Sequence, residues 1–141
     1  MSRPGFAGWF AGEKPVDLGV KDGRLKPCPD RPNCASSQAS DASHVPPLLF
    51  ADEPATAWQR LRVVLESMPR IRVVEQTSTY MRAEAASRIF GFVDDMEFLL
   101  DATAHVVHVR SAARLGYSDL GVNRRRVEQV RAAFDAARAG N

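Results

Sequence analysis

The sequence predicts an α+β domain: a four-stranded, mainly antiparallel sheet with two helices and an irregular N-terminal arm. Apolar residues recur at helical spacing in residues 52–69 and again in residues 123–139, whereas apolar and polar residues alternate between 71 and 110. Consecutive strands flanked by helices favour an antiparallel sheet with both helices on one face. We expect residues 18–141 to form one domain, and residues 1–17 to be a flexible or docked arm that wraps over the sheet.

Composition and net charge argue against two classes of protein, those that bind nucleic acid and those that span a membrane. The net charge is +2, and the contents of 45% hydrophobic and 26% charged residues are near globular averages. So small a net charge gives little general attraction to nucleic acid, and the basic residues 124–131 lack interleaved aromatic side chains, so we expect no nucleic-acid partner. No apolar run approaches the roughly 20 residues of a membrane span, and no signal-length apolar run opens the sequence. We therefore expect a cytoplasmic protein with no transmembrane segment.

The first 50 residues are rich in Gly, Pro, Ser and Asp, which is typical of irregular structure. Three aromatic residues near the start, Phe6, Trp9 and Phe10, favour an arm that is anchored on the domain. Farther along, Ser36 and Ser37 precede His44. A serine and a histidine can act as nucleophile and base, but no strand–turn–helix elbow surrounds them. Turn or capping hydroxyls and a hydrogen-bonded loop histidine are the favoured interpretation.

Two cysteines, Cys28 and Cys34, flank a five-residue, proline-rich loop. A disulfide there would stabilise the fold by about 2 kcal/mol in an oxidising compartment. Two free thiols are the alternative in a reducing one. A metal site would need two further ligands, and no CxxC pair or nearby histidine pair supplies them. Disulfide and free thiols both remain open, and we expect no metal and no other cofactor.

Residues 52–69 predict the first helix. Its apolar stripe consists of Ala57, Trp58, Leu61, Val64, Leu65 and Met68. Asp52 is the predicted N-cap, Pro54 suits the first turn, and Pro69 ends the helix.

Four strands are predicted after this helix, over residues 71–77, 79–87, 92–101 and 105–110. The last two are joined by a turn short enough for an antiparallel hairpin. In the third strand Asp95 and Glu97 fall on one face and Asp94 on the other, because strand side chains alternate. By the same rule His105 and His108 fall on opposite faces of the fourth strand, so they cannot bind one metal ion together.

The second helix, over residues 123–139, begins with an unusual charge pattern. Asn123 is the predicted N-cap, and Arg124, Arg125 and Arg126 follow in the first turn. The helix dipole disfavours cations there by a few tenths of a kcal/mol each, so we expect a carboxylate or a bound anion beside them. Residues 71–101 carry a net charge of −3 and residues 109–138 a net charge of +4. The acidic residues of the first range are therefore the expected source of that carboxylate. We predict that these two halves face each other.

Three motifs carry a family resemblance: GRLKPCPDRPNCASSQ with the following His44, then FGFVDDMEFLLD, then VRSAARLGYSDLGVNRRRVEQVR. Together they resemble the family called domain of unknown function 1499, over roughly residues 18–137. The resemblance implies no reaction. It implies that the cysteine loop, Asp94–Asp95 and the arginine segment belong to one signature. Many members are similar to envelope or chloroplast-lumen proteins, so envelope association is the alternative to a cytoplasmic location.

Three interpretations of the arginine segment remain: an internal ion-pair network with the acidic strand, a pocket for an anionic ligand, or an enzyme. We favour a non-enzymatic binding or assembly module that recognises an anionic small molecule or a partner's carboxylate. Its predicted site residues are Arg110, Arg114, Tyr117, Asp119, Asn123 and Arg124, together with Asp94 and Asp95. The alternative is a small hydrolase-like enzyme using Asp94 or Asp95 with Tyr117 or His44, although adjacent strand residues make a poor acid–base pair.

Overall fold

A computed structural model describes residues 5–6, 12–87 and 91–139, so Trp9 and Phe10 lie outside the described residues. In chain order the elements are β1 (Val20–Lys21), β2 (Arg24–Leu25), β3 (Cys34–Ser36), β4 (Leu48–Leu49), α1 (Pro54–Ser67), β5 (Ile71–Gln76), β6 (Tyr80–Ala86), β7 (Val93–Asp101), β8 (Val106–Ala113) and α2 (Val122–Ala139). The predicted α+β class, with two helices and antiparallel strands, is confirmed for the described residues.

The prediction of a four-stranded sheet is wrong. The main sheet has six strands in the order β3-β8-β7-β6-β5, and β4 also pairs with β8; β1 and β2 form a separate two-stranded sheet. The extra strands β3 and β4 are three and two residues long, too short to show alternation in a segment rich in turn residues. They form by pairing with β8, which continues to Ala113 rather than ending at Arg110.

Both helices begin at different residues from those expected. The N-cap of α1 is Glu53 rather than Asp52, which instead pairs with Arg60 at 2.6 Å between Oδ2 and Nη1. Pro54 does occupy the first turn, as predicted. In α2, Asn123 is the second helical residue rather than the cap. The start of β8 also differs, because His105 lies in the preceding turn with a φ of 58°.

One face of the main sheet packs against both helices to form the hydrophobic core. The core side chains of the three central strands are Met81, Ala83, Ala85, Met96, Phe98, Val107 and Val109. The helices contribute Trp58, Leu61, Leu65, Val127, Val130 and Phe134. Each large apolar side chain buried in this way contributes roughly 1.5–3 kcal/mol before the entropy of ordering is counted. In β7, Met96 and Phe98 lie in this core, on the face opposite Asp95 and Glu97, so the predicted alternation of the strand is confirmed.

The opposite face of the sheet is polar and is covered by an N-terminal segment, of which the structure describes residues 5–6 and 12–27. Backbone groups of that segment contact the charged side chains directly: the Phe6 amide donates to Glu84 Oε1 at 2.7 Å, and the Gly19 amide donates to Glu97 Oε2 at 2.7 Å. The carbonyl of Pro27 accepts a hydrogen bond from Arg110 at 3.4 Å. Charged side chains can be buried here because each is met by an opposite charge or a backbone group.

Candidate functional site

A buried ion-pair network joins the acidic strand to the arginine segment. Arg114 donates to Asp95 at 2.8 Å through Nε and to Glu84 at 2.6 Å through Nη2. Arg82 Nη1 lies 3.1 Å from Asp95 and 3.2 Å from Glu84. All four side chains are at most 8% exposed. The structure therefore contains the internal network that was one of the three interpretations of this segment.

The contacts within the network shift the pKa values of Glu84 and Arg114. Burial acts to raise the pKa of Glu84, but hydrogen bonds from the Phe6 amide, Arg82 and Arg114 outweigh it and hold that pKa below its usual value. The hydrogen bond to Asp95 raises the pKa of Arg114 further. Both groups are therefore charged at neutral pH.

A second buried cluster continues along the same polar face. Glu97 Oε2 accepts a hydrogen bond from the Tyr80 hydroxyl at 2.6 Å, and Glu97 Oε1 lies 3.5 Å from Arg110 Nη1. Burial, and then repulsion from Glu97, raise the pKa of Tyr80 well above its usual range. Burial lowers the pKa of Arg110, and the negative charge of Glu97 opposes that effect. Tyr80 thus acts as a neutral hydrogen-bond donor, and Arg110 faces an internal acid.

Asp94 projects from the other face of β7 and pairs with Arg126 in the first turn of α2. Burial raises the pKa of Asp94, Arg126 opposes this, and the nearby charges of Asp119 and Asp95 add to it. Asp94 and Asp95 are therefore on opposite faces, as strand alternation predicted, and cannot act together on one substrate.

The start of α2 is capped by Asp119. Its carboxylate accepts hydrogen bonds from the amide of Gly121 at 2.8 Å and from the amide and side chain of Asn123 at 3.1 and 2.8 Å. Arg124 donates to the carbonyls of Ala42 and His44 at 2.6 and 3.0 Å. A carboxylate therefore meets one of the three arginines, Arg126, which pairs with Asp94, whereas Arg124 is met by backbone carbonyls and Asp119 caps the first amides.

A cavity of about 340 Å³ lies between the beginning of β7, the end of β8, the connecting loop 114–121 and the start of α2. Apolar side chains make up most of its wall, among them Phe92, Leu115 and Leu120, which are 41%, 44% and 83% exposed. Of the residues that the structure describes, two carboxylates and one guanidinium line it as well, those of Asp94, Asp119 and Arg126. A mostly apolar concavity with a few convergent polar groups is the usual form of a small-molecule site.

The cavity gathers only part of the predicted site. Asp94 and Asp119 line it, and Tyr117, two-thirds exposed, belongs to its loop. The other predicted residues lie elsewhere: Asp95, Arg110 and Arg114 on the covered polar face, Asn123 buried against Ser111, and Arg124 against backbone carbonyls. Sequence reasoning missed the apolar wall. Its signal was the pair of leucines in a loop otherwise rich in Gly, Ser and Asp.

Cys28 and Cys34 form a disulfide, with 5.7 Å between their Cα atoms. Of the two serines after it, Ser36 accepts a hydrogen bond from the Gln38 amide, as a turn hydroxyl does. Ser37 contacts His108 Nδ1 at 3.1 Å rather than His44, which instead contacts the Ala39 carbonyl at 2.9 Å. Burial lowers the pKa of His108.

Within the described ranges, no group of three or more His, Cys, Asp or Glu side chains could hold a metal ion. In the same part of the chain, no helix is both long and apolar enough to cross a membrane. No hydrogen bond joins Asp94 or Asp95 to Tyr117 or His44 among those residues.

Comparison with known proteins agrees with the family resemblance. A family model described as "Protein of unknown function (DUF1499)" matches residues 24–134, a range that includes the cysteine loop, β7 and the arginine segment. No curated protein and no solved structure matches the chain. The chain therefore belongs to the DUF1499 family of proteins of unknown function.

Proposed function

We propose that this domain is a non-enzymatic binding module whose cavity beside Asp94 and Arg126 takes a small, mostly apolar molecule with a neutral polar head. The observation that carries the proposal is the combination of an apolar wall with one partly buried ion pair. The volume of about 340 Å³ falls within the range of ligand sites, roughly 300–1,000 Å³. The exposed leucines of the loop gain a function in this arrangement, since a ligand would cover them.

The charges of the cavity select the head group. Arg126 offers donors and Asp94 offers an acceptor, and the two already neutralise each other. A hydroxyl or amide can accept from Arg126 and donate to Asp94 without adding charge. Among the described residues, the wall holds Asp94, Asp119 and one arginine. An anionic head would add a third negative charge there, and this repulsion is larger in a partly desolvated site than in water.

The earlier expectation of an anionic ligand or partner carboxylate on the arginine cluster has less support. Arg110, Arg114 and Arg124 each already contact an internal acceptor, so an external anion would have to displace Glu97, Asp95 or a backbone carbonyl. For that reason we place the binding site at the cavity, and anion binding at the arginine cluster stays a prediction. No geometric observation favours the enzyme alternative.

An NMR titration with matched probes tests the proposal. Added 1-hexanol should shift amide signals of residues 92–94 and 113–122 with a dissociation constant in roughly the millimolar range, as expected for a probe of this size. Hexanoate, which has the same chain with a charged head, should bind more weakly.

The variant Leu120→Ser removes apolar wall and should weaken hexanol binding. Leu49→Ser is the matched control, because Leu49 is also exposed, at 67%, and does not line the cavity. Shifts scattered over the surface, or equal affinity in wild type and Leu120→Ser, would contradict the proposed function.

A further inference from the structure

We infer that the Cys28–Cys34 disulfide is a redox control of the cavity: the oxidised form holds the cavity's loop in place, and reduction by a dithiol releases it. The inference rests on the proposed function, because it concerns the regulation of the same cavity.

Hydrogen bonds connect the disulfide loop to the cavity wall. The Asp119 amide donates to the Pro32 carbonyl at 3.1 Å. Asn33 Nδ2 donates to the Gly116 carbonyl at 3.0 Å, and the Asn33 carbonyl accepts from the Ala113 amide at 3.0 Å. Ala113, Gly116 and Asp119 all line the cavity. The short loop closed by the disulfide therefore holds the wall at three separate places.

The disulfide matters because the two ends of its loop are anchored unequally. Cys34 begins β3 and pairs with Ala112 of β8, so its position survives loss of the covalent bond. On the other side, the neighbouring Pro27 carbonyl makes a 3.4 Å hydrogen bond with Arg110. Opening the ring restores conformational freedom to residues 29–33, and with it to the groups that hold the wall.

Cys28 is the more accessible of the two cysteines. Cys34 is 8% exposed, whereas Cys28 is half-buried and lines a second cavity of about 230 Å³. Arg24 and Lys26 line the same cavity, and positive charge favours the thiolate form of an incoming thiol. The second cavity is therefore the entry point for the reductant.

Reduction of the disulfide proceeds by two steps of thiol–disulfide exchange. A thiolate of the dithiol attacks Cys28 Sγ, the Cys28–Cys34 bond breaks, and Cys34 leaves as a thiolate that takes up a proton. The second thiol of the reductant then attacks the mixed disulfide, which frees Cys28 as a thiolate that is protonated in turn. Two electrons pass to the protein, and the dithiol becomes a disulfide.

The test compares the intact protein with and without dithiothreitol, using two readouts. With 1-hexanol as the probe, the reduced form should bind about tenfold more weakly than the oxidised form, and reoxidation should restore the affinity. Amide hydrogen exchange, without any probe, should speed up by a larger factor at residues 113–122 than in β6 and β7, whose protection should fall only with the global stability. A free-thiol titration before and after reduction verifies the redox state. The double variant Cys28→Ser, Cys34→Ser should match the reduced form and ignore the reductant.

The outcomes separate the two proposals. If neither form binds hexanol, the proposed function fails, and the exchange data still decide whether the disulfide controls the loop. If both forms bind equally and exchange equally at residues 113–122, the redox inference is overturned while the binding function stands. An equal loss of protection at residues 113–122 and across β6 and β7 would also overturn it, because the disulfide would then support the whole fold rather than the cavity wall.

Discussion

Asp94 and Asp95 are neighbours in β7, yet their carboxylates contact different layers of the molecule. Asp94 pairs with Arg126 of α2, whereas Asp95 accepts from Arg82 and Arg114 beneath the N-terminal segment. Their separation could be predicted from the sequence, because adjacent strand side chains point to opposite faces. Their partners could not, because the register between strands decides which arginine lies opposite which acid.

At this scale, Glu84→Gln should lower the free energy of unfolding by about 2 kcal/mol at pH 7, since Arg82 and Arg114 lose a buried carboxylate. Burial acts to raise the pKa of Glu84, but the Phe6 amide and the two arginines lower it further than burial raises it. A carboxylate with a depressed folded pKa stabilises the protein above its unfolded pKa, and that stabilisation is lost as the pH falls through the folded pKa. The effect of the substitution should therefore be largest at neutral pH and shrink below about pH 4, as urea unfolding can show.

Glu75→Gln is the matched control. Its side chain is 48% exposed and lies 3.7 Å from the same Arg82, so the cost should stay below about 0.5 kcal/mol. Equal losses in the two variants, or a Glu84→Gln effect that grows on acidification, would show that the buried network does not depend on this charge.

At the scale of elements, the start of α2 shows why cap prediction failed. Asn123 has a favoured cap residue type, but Leu120 and Gly121 have positive φ values of 55° and 81°, and this turn brings the Asp119 carboxylate to the first amides. Side-chain statistics alone do not contain that turn. Asn123 is left fully buried and accepts a hydrogen bond from Ser111 at 2.5 Å.

Asp119→Ala should lower the free energy of unfolding by about 1–2 kcal/mol, because the helix loses its capping acceptor. Asp119→Asn should cost less, since its amide oxygen still accepts a hydrogen bond. Urea unfolding measures both. Asp135→Ala, at an exposed position of the same helix, should change stability by less than about 0.5 kcal/mol. A similar loss from both alanine variants would argue against the capping role.

The short strands β3 and β4 of the main sheet could not be predicted from the sequence, for a different reason. In β3, Ala35 is fully buried while the flanking Cys34 and Ser36 face the polar side, a pattern that three residues cannot reveal without their partner. Tertiary pairing with β8 creates this element. Long strands such as β6 and β7 carry enough alternation to be recognised alone.

At the scale of the whole molecule, the sheet is covered on both faces: helices pack on one, and the N-terminal segment lies on the other. The division into an arm, residues 1–17, and a domain, residues 18–141, stays a prediction. Phe6 stacks under Arg72, whose guanidinium lies 4.9 Å from the ring centroid, and the Gly12 carbonyl accepts a hydrogen bond from Arg114. The predicted aromatic anchoring therefore has support at Phe6.

Gly5→Ala tests whether this covering depends on close backbone approach. An added Cβ would lie 2.1 Å from Glu84 Oε1, and two arginines hold the other oxygen of that carboxylate, Oε2. We expect the arm to be displaced, residues 1–17 to be cleaved faster in limited proteolysis, and the pKa of Glu84 to rise as the Phe6 hydrogen bond is lost. Glu13→Ala, at an exposed arm position, is the control and should behave as wild type. Unchanged proteolysis of Gly5→Ala would mean that the arm tolerates the added methyl group.

Removing the disulfide by the paired substitutions Cys28→Ser and Cys34→Ser should lower the free energy of unfolding by about 2 kcal/mol, as expected for closure of a short loop. The loss should appear as a lower urea midpoint. The reduced wild type should show the same midpoint, whereas adding reductant to the double variant should change nothing. A midpoint that is insensitive to both treatments would contradict a stabilising bridge.

The two-sided character of β7 has a consequence for how the chain folds. Sliding this strand by one position against its neighbours would turn Asp95 and Glu97 toward the helices and expose Met96 and Phe98 to the arginines. Both changes are unfavourable, because carboxylates would enter the hydrophobic core and guanidinium groups would lose their counterions. A growing sheet therefore disfavours β7 shifted by a single residue, and intermediates paired in that way are rejected at its central strand.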